Sequence, residues 1–189
     1  MNRKILAIAP LLVFAFVCVF LYQGLFANPR EIQTGRLGQE MPAFNLPDLM
    51  QDNKPWTNES LKGEVYLLNV WGTWCPTCLV ELGYLTKLRE QGVKIIGLYY
   101  VQGYDADFDG PFDMQSLRTE VSDMLQRAGD PYQFNILDLH RTLSLDLGVS
   151  GAPETFLVDK NGTILLHHTG DINPRVWRAK FAPIMQELK

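Results

Sequence analysis

The sequence is poor in cysteine and histidine, with three of each in 189 residues. Three cysteines cannot staple a small disulfide-rich scaffold, so the fold must rest on a hydrophobic core. No histidine stands near a cysteine in sequence, which leaves a four-ligand zinc site short of donors. An excess of positive charge is also missing: 17 Lys and Arg face 21 Asp and Glu. That balance excludes the basic footprint of a nucleic-acid binder. Residues 1–27 lack acidic side chains altogether and carry two basic ones, Arg3 and Lys4. From Ile5 to Tyr22 there is no charge at all. As a helix that run spans about 27 Å, one hydrocarbon core. Arg3 and Lys4 ahead of it predict a cytoplasmic N-terminus and a domain on the far side. A cleaved signal peptide is the rival reading, but Leu25-Phe26-Ala27 offers a small residue at only one of the two key positions. Cys18 lies inside the run and reads as apolar filler.

The expected organisation is a membrane anchor over 1–27, a polar linker over 28–39 with Pro29, Gly35 and Gly38, and one domain over 40–189. The domain centres on Trp71-Gly72-Thr73-Trp74-Cys75-Pro76-Thr77-Cys78. Val65 to Val70 before it is apolar and β-branched. Leu79, Leu82, Leu85 and Leu88 after it recur at helical spacing. The pattern predicts a buried strand, a tight turn and a helix, with both cysteines in the first helical turn. Unpaired backbone N–H groups and the helix dipole there favour a thiolate at Cys75, making it a ready nucleophile. Cys78, three residues on, is within disulfide reach on the same helical face. Pro76 is tolerated because the first turn needs no amide hydrogen at that point. A redox-active dithiol is the leading reading. A static bridge closing so small a loop would stabilise little, and a half zinc site remains the other alternative.

Further along, Met41 to Leu49 reads as a short edge strand broken by prolines, and Gln51 to Lys62 as a loop with a helical turn at 58–61. Strands are expected at 93–100, 134–138, 155–159 and 163–168, and helices at 112–128, 140–147 and 174–188, the last capped by Asn173. Together these make a mixed sheet with helices on both faces. Asp105, Asp107 and Asp109 before Gly110 suggest a calcium loop, but Ser116 stands where a closing Glu is required, so a solvated surface loop is expected. His140, His167 and His168 are given no ligand role, and His167-His168 are placed on an exposed strand end.

Cys75-Pro-Thr-Cys78 followed by Gly151-Ala-Pro-Glu-Thr-Phe156 resembles the thioredoxin superfamily. Leu67 to Trp71, Leu145 to Val149, Gly151 to Asp159 and Gly170 to Trp177 narrow the resemblance to the membrane-anchored thiol:disulfide interchange proteins of cytochrome c biogenesis, the CcmG/DsbE group. The resemblance implies a thioredoxin-like fold, Cys75 as attacking and Cys78 as resolving thiol, and no cofactor beyond the Cys75–Cys78 disulfide. It implies that Pro153 is a cis-proline facing the disulfide, with Trp74, Pro76 and Ala152 beside it as substrate-binding positions. Glu81 and Glu154 become the acids near the site. From spacing alone Glu81 is a solvated helix residue, but a nearby carboxylate can raise a thiol's pKa and relay its proton. Asn69 stands where thioredoxins proper carry a buried Asp and cannot itself accept a proton, so these two carboxylates are the candidates to replace it. The implied partners are apocytochrome c or haem-lyase thiols and a membrane electron donor, at the periplasmic face of a bacterial inner membrane. A broader exported reductase and a peptide-binding module of an assembly complex are the rival functions.

Overall fold

The computed structural model describes residues 3–26, 35–52, 54–105 and 108–188, with the side chains of the first helix described from Pro10 to Tyr22. The chain divides into two compact units, Met1–Ile32 and Gln33–Lys189. The first holds helix α1 (Arg3–Phe26). Leu11, Phe14, Phe16 and Phe20 on it are exposed. Among the described residues no helix is long and apolar enough to cross a membrane. Residues 1, 2 and 27 of the expected anchor, and residues 28–34 of the expected 28–39 linker, lie outside the described residues.

The second unit begins with a two-stranded ribbon, β1 (Asn45–Pro47) against β2 (Pro55–Thr57). The ribbon replaces the single strand and the loop that the sequence pattern predicts there. Pro47 and Pro55 keep it short, as expected of prolines on an edge. Trp56 holds it in place, donating from Nε1 to Asp48 Oδ2 at 2.8 Å and stacking on Phe134. A single 3₁₀ turn, Glu59–Leu61, follows.

The main sheet is built on β3 (Tyr66–Trp71), which is buried along its whole length. Helix α2 (Pro76–Glu90), β4 (Ile95–Tyr99), α3 (Met114–Ala128), β5 (Asn135–Leu137) and α4 (Thr142–Asp146) follow. Next come β6 (Glu154–Val158) and β7 (Ile164–Thr169). The sheet order is β5-β4-β3-β6-β7; β3, β4 and β5 run parallel, β6 is antiparallel to β3, and β7 is antiparallel to β6. Because both faces are covered, β3 reads as an apolar run interrupted only at Asn69 rather than as an alternation. Leu67 and Trp71 pack on one face with Leu82 and Leu85 of α2 and Val121 of α3. Leu68 and Val70 pack on the other with Leu143, Leu147 and Phe156.

The C-terminal helix is less regular than its pattern suggests. Helix α5 (Pro174–Val176) passes through a π-helical segment, Trp177–Phe181, into α6 (Ala182–Glu187). Pro183 supplies the reason. It has no N–H to donate, and its ring would strike the carbonyl four residues back, so the preceding turn widens. Asn173 caps the start, its Oδ1 accepting from the backbone N–H of Arg175 and Val176, each at 3.1 Å.

Candidate active site

The strand-to-helix turn after β3 carries the cysteines. Cys75 is the N-cap of α2 rather than a member of its first turn, with extended backbone, and Pro76 is the first helical residue. Cap residues adopt extended angles so that a side-chain atom can accept the orphan amides of the first turn. Here the acceptor is sulfur: Cys75 Sγ accepts from Cys78 N–H at 3.1 Å. The two cysteines form a disulfide with Cα atoms 5.3 Å apart. Both are buried, at 4% exposure for Cys75 and 1% for Cys78, so Cys75 is the more exposed residue of the two. Pro76 and Thr77 between them are exposed. When the bridge is reduced, the same amide and helix dipole stabilise a thiolate at Cys75.

The aromatic walls are fixed from beneath. Trp74 is half-buried and donates from Nε1 to the carbonyl of Tyr100 at 2.9 Å. A side chain at position 72 would collide with the Trp74 indole, so the turn requires Gly72. Trp71 lies deeper, donating to Asn135 Oδ1 at 2.9 Å. Ala152 packs beside the cluster that holds both cysteines, and the Ala152–Pro153 peptide bond is cis.

The two carboxylates that the sequence singles out are both buried. Glu81, one turn beyond Cys78, is 2% exposed and not the solvated helix residue that spacing alone suggests. It accepts from Asn69 Nδ2 at 2.9 Å and from the Ile172 N–H at 2.7 Å. Asn69 in turn accepts from the Tyr132 hydroxyl at 2.7 Å. Burial pushes the Glu81 pKa up to about 7; the Ile172 and Asn69 hydrogen bonds pull against it, and Asp171 adds to the rise. Glu154 is fully buried. Its Oε1 accepts from Ser150 N–H, Ser150 Oγ and Gly151 N–H at 2.8, 2.6 and 2.9 Å, and its Oε2 lies 2.6 Å from His167 Nε2. Burial raises its pKa, but the bonds from His167 and Ser150 outweigh it and hold Glu154 below the ordinary carboxylate value.

The position of His167 corrects the sequence reading, which placed it on an exposed strand end. Its side chain is 2% exposed and stacks on Phe156, with ring centroids 4.2 Å apart. The cause is a register shift. Val158 pairs with Ile164 but the preceding Leu157 pairs with Leu166, so β7 carries one extra residue. A bulge swaps the parity of every residue beyond it. Leu165 and Leu166 both turn to the α2 side, and His167 turns to the side of Ile164 and Phe156. Sequence pattern shows no such bulge. It also missed Tyr132, whose link to Asn69 crosses 63 residues. In the 101–113 loop, Asp107 lies outside the described residues, and Asp109 Oδ2 accepts from the Asp105 N–H at 2.6 Å. Among the described residues no cluster of His, Cys, Asp and Glu could hold a metal.

The redoxin family matches residues 36–182. The chain is 42% identical to the thiol:disulfide interchange protein DsbE of Pseudomonas aeruginosa, covering 100% of this chain and 96% of that one. It is 36% identical to the protein of the same name from Escherichia coli, over 99% and 96% of the two chains. Among solved structures, a thio-disulfide isomerase from Thermus thermophilus superposes with a TM-score of 0.60 at 20% identity, covering 81% of this chain and 98% of that one. A thioredoxin-like protein from Aeropyrum pernix superposes at 0.52 with 18% identity, covering 67% and 81%. The fold is thioredoxin-like.

Proposed function

The chain belongs to the redoxin family, is a thiol:disulfide oxidoreductase, and stands among the proteins named DsbE; from that premise we propose that it is a membrane-anchored periplasmic reductase of cytochrome c maturation. The observation that carries the chemistry is the Cys75–Cys78 disulfide at the N-terminus of α2, with Cys75 Sγ on an orphan amide. Support for the anchor is the uncharged run Ile5–Tyr22, whose described side chains are largely exposed apolar groups. The cytochrome c assignment follows the sequence resemblance, with apocytochrome c or a haem-lyase subunit as the oxidised partner.

In the reaction, Cys75 thiolate attacks the partner's disulfide. One partner sulfur leaves as a thiolate and takes up a proton, and a mixed disulfide remains. Cys78 gives its proton to Glu81, one turn away and near neutral in pKa, and attacks Cys75 Sγ. The partner's second thiolate leaves, and the Cys75–Cys78 bridge closes. Two electrons have passed to the partner, so a membrane electron donor must restore the dithiol. Trp74, Pro76, Ala152 and Pro153 form the groove in which the partner's chain pairs.

The test is a trap. Cys78→Ser leaves Cys75 able to attack and unable to be released, so partners accumulate covalently. Trapped apocytochrome c or a haem-lyase subunit in native membranes is the expected result. A scatter of unrelated exported proteins would replace this reading with a general reductase. An empty trap with a reactive Cys75 would replace it with a binding module.

A further inference from the structure

Strand β7 and the glycine that follows it grip the residues on either side of the Pro153–Glu154 bond. The Gly170 N–H donates to the Pro153 carbonyl at 2.9 Å, and three residues earlier His167 Nε2 meets Glu154 Oε2 at 2.6 Å. The other Glu154 oxygen closes the turn upstream, taking the Ser150 and Gly151 amides and the Ser150 hydroxyl. The turn from Ser150 to Pro153 is thus folded around one carboxylate, and that carboxylate is tied to one imidazole.

The imidazole is costly in this place. Its Nδ1 is buried with no hydrogen-bond partner. A phenyl or isobutyl group would fill the same space against Phe156 without burying an unsatisfied nitrogen. What the imidazole adds to packing is a hydrogen-bonding nitrogen on Glu154. We propose that His167 is a positioning residue of the substrate groove, fixing Glu154 and through it the Ser150–Ala152 backbone beside Pro153, against which a client polypeptide pairs. The proposal rests on the groove reading given above. It also gives the two acids different work. Glu154, held by four partners, shapes the groove, whereas Glu81, held by two, carries the proton.

The experiment compares two oxidants of the reduced full-length chain. One is a synthetic peptide closed by a Cys-x-x-Cys disulfide. The other is dithiobis(nitrobenzoate), which has no backbone to pair. His167→Leu is expected to slow the peptide reaction about tenfold, the scale of one lost hydrogen bond to a charge, and to leave the nitrobenzoate reaction within about twofold. His167→Gln, whose amide nitrogen reaches as far as Nε2, is expected to restore the peptide rate. Should His167→Leu fail to fold, His167→Asn, too short to reach Glu154, takes its place in the comparison. Equal slowing of both reactions would make His167 a packing residue and overturn the proposal, as would no slowing of either. If the unaltered protein itself shows no preference for the peptide, the groove reading beneath it falls instead.

Discussion

Glu81 and Glu154 are both buried glutamates of one domain, yet their surroundings push them in opposite directions. Glu81 has two hydrogen-bond donors, an amide side chain and a backbone N–H, and burial wins: its pKa rises to about 7. Glu154 has four hydrogen-bonding partners, one of them an imidazole, and they win over burial. The difference teaches that depth alone does not set a carboxyl's charge; the number and kind of donors turned toward it decide. It also divides the labour. A carboxyl poised near neutrality can exchange protons at physiological pH, and one locked as an anion can hold a backbone turn in shape.

The contrast breaks most visibly at Glu154. Removing the Glu154 carboxylate strands the buried groups hydrogen-bonded to it, at about 1–3 kcal/mol for each one left unsatisfied, so the loss should reach about 3–5 kcal/mol. Glu154→Ala is therefore expected to cost about that much at pH 7, read by urea unfolding of the oxidised protein. A loss near the few tenths typical of surface changes would mean that the carboxylate is dispensable. The linkage has a definite sign. A carboxyl whose native pKa lies below its unfolded value stabilises the fold above about pH 4.5, and the benefit disappears as pH falls through the native pKa.

Glu81 has the opposite sign. Its native pKa of about 7 exceeds the ordinary 4.5, so the unfolded chain releases this proton first. Between those values the unfolded state binds fewer protons, and stability declines as pH rises. At about 1.4 kcal/mol per pKa unit, the full decline is about 3 kcal/mol by pH 8. Glu81→Gln, a neutral isostere, is expected to remove that slope: the variant and the parent track together near pH 4 and diverge in the variant's favour above pH 6. Parallel curves across the range would mean that Glu81 ionises as an ordinary acid.

The cysteine centre was legible in the sequence because its parts are local. Cys75, Pro76 and Cys78 fall within one turn, and the leucines after them fix the helix; only the exact cap position, Cys75 rather than a residue inside the helix, required coordinates. Strand β3 was legible because a strand covered on both faces needs no alternation to be recognised. What stayed hidden depends on long-range register. Spacing cannot say that Asn69 meets both Glu81 and Tyr132, since those bonds span 12 and 63 residues. It cannot say that β7 gains a residue at Leu165, and without that shift His167 points the wrong way. Strand β1 falls inside the edge strand expected over 41–49, but its partner β2 was missed because three residues carry too little pattern to register.

The finest test of the contrast is at Ser150, which gives Glu154 both a backbone amide and a hydroxyl, the latter at 2.6 Å. Ser150→Ala removes the hydroxyl and keeps the amide, so the turn retains its path and Glu154 retains three partners. The expected loss is about 1 kcal/mol, the ordinary worth of one hydrogen bond. The Glu154 carboxyl should also titrate higher than in the parent, since one of the groups holding its pKa down is gone. Carbon-13 NMR of the labelled carboxyl reads that change directly. An unmoved titration would assign the anion's stability to His167 and the two backbone amides alone. The separation from Glu81, which no imidazole holds, would then rest on those three groups.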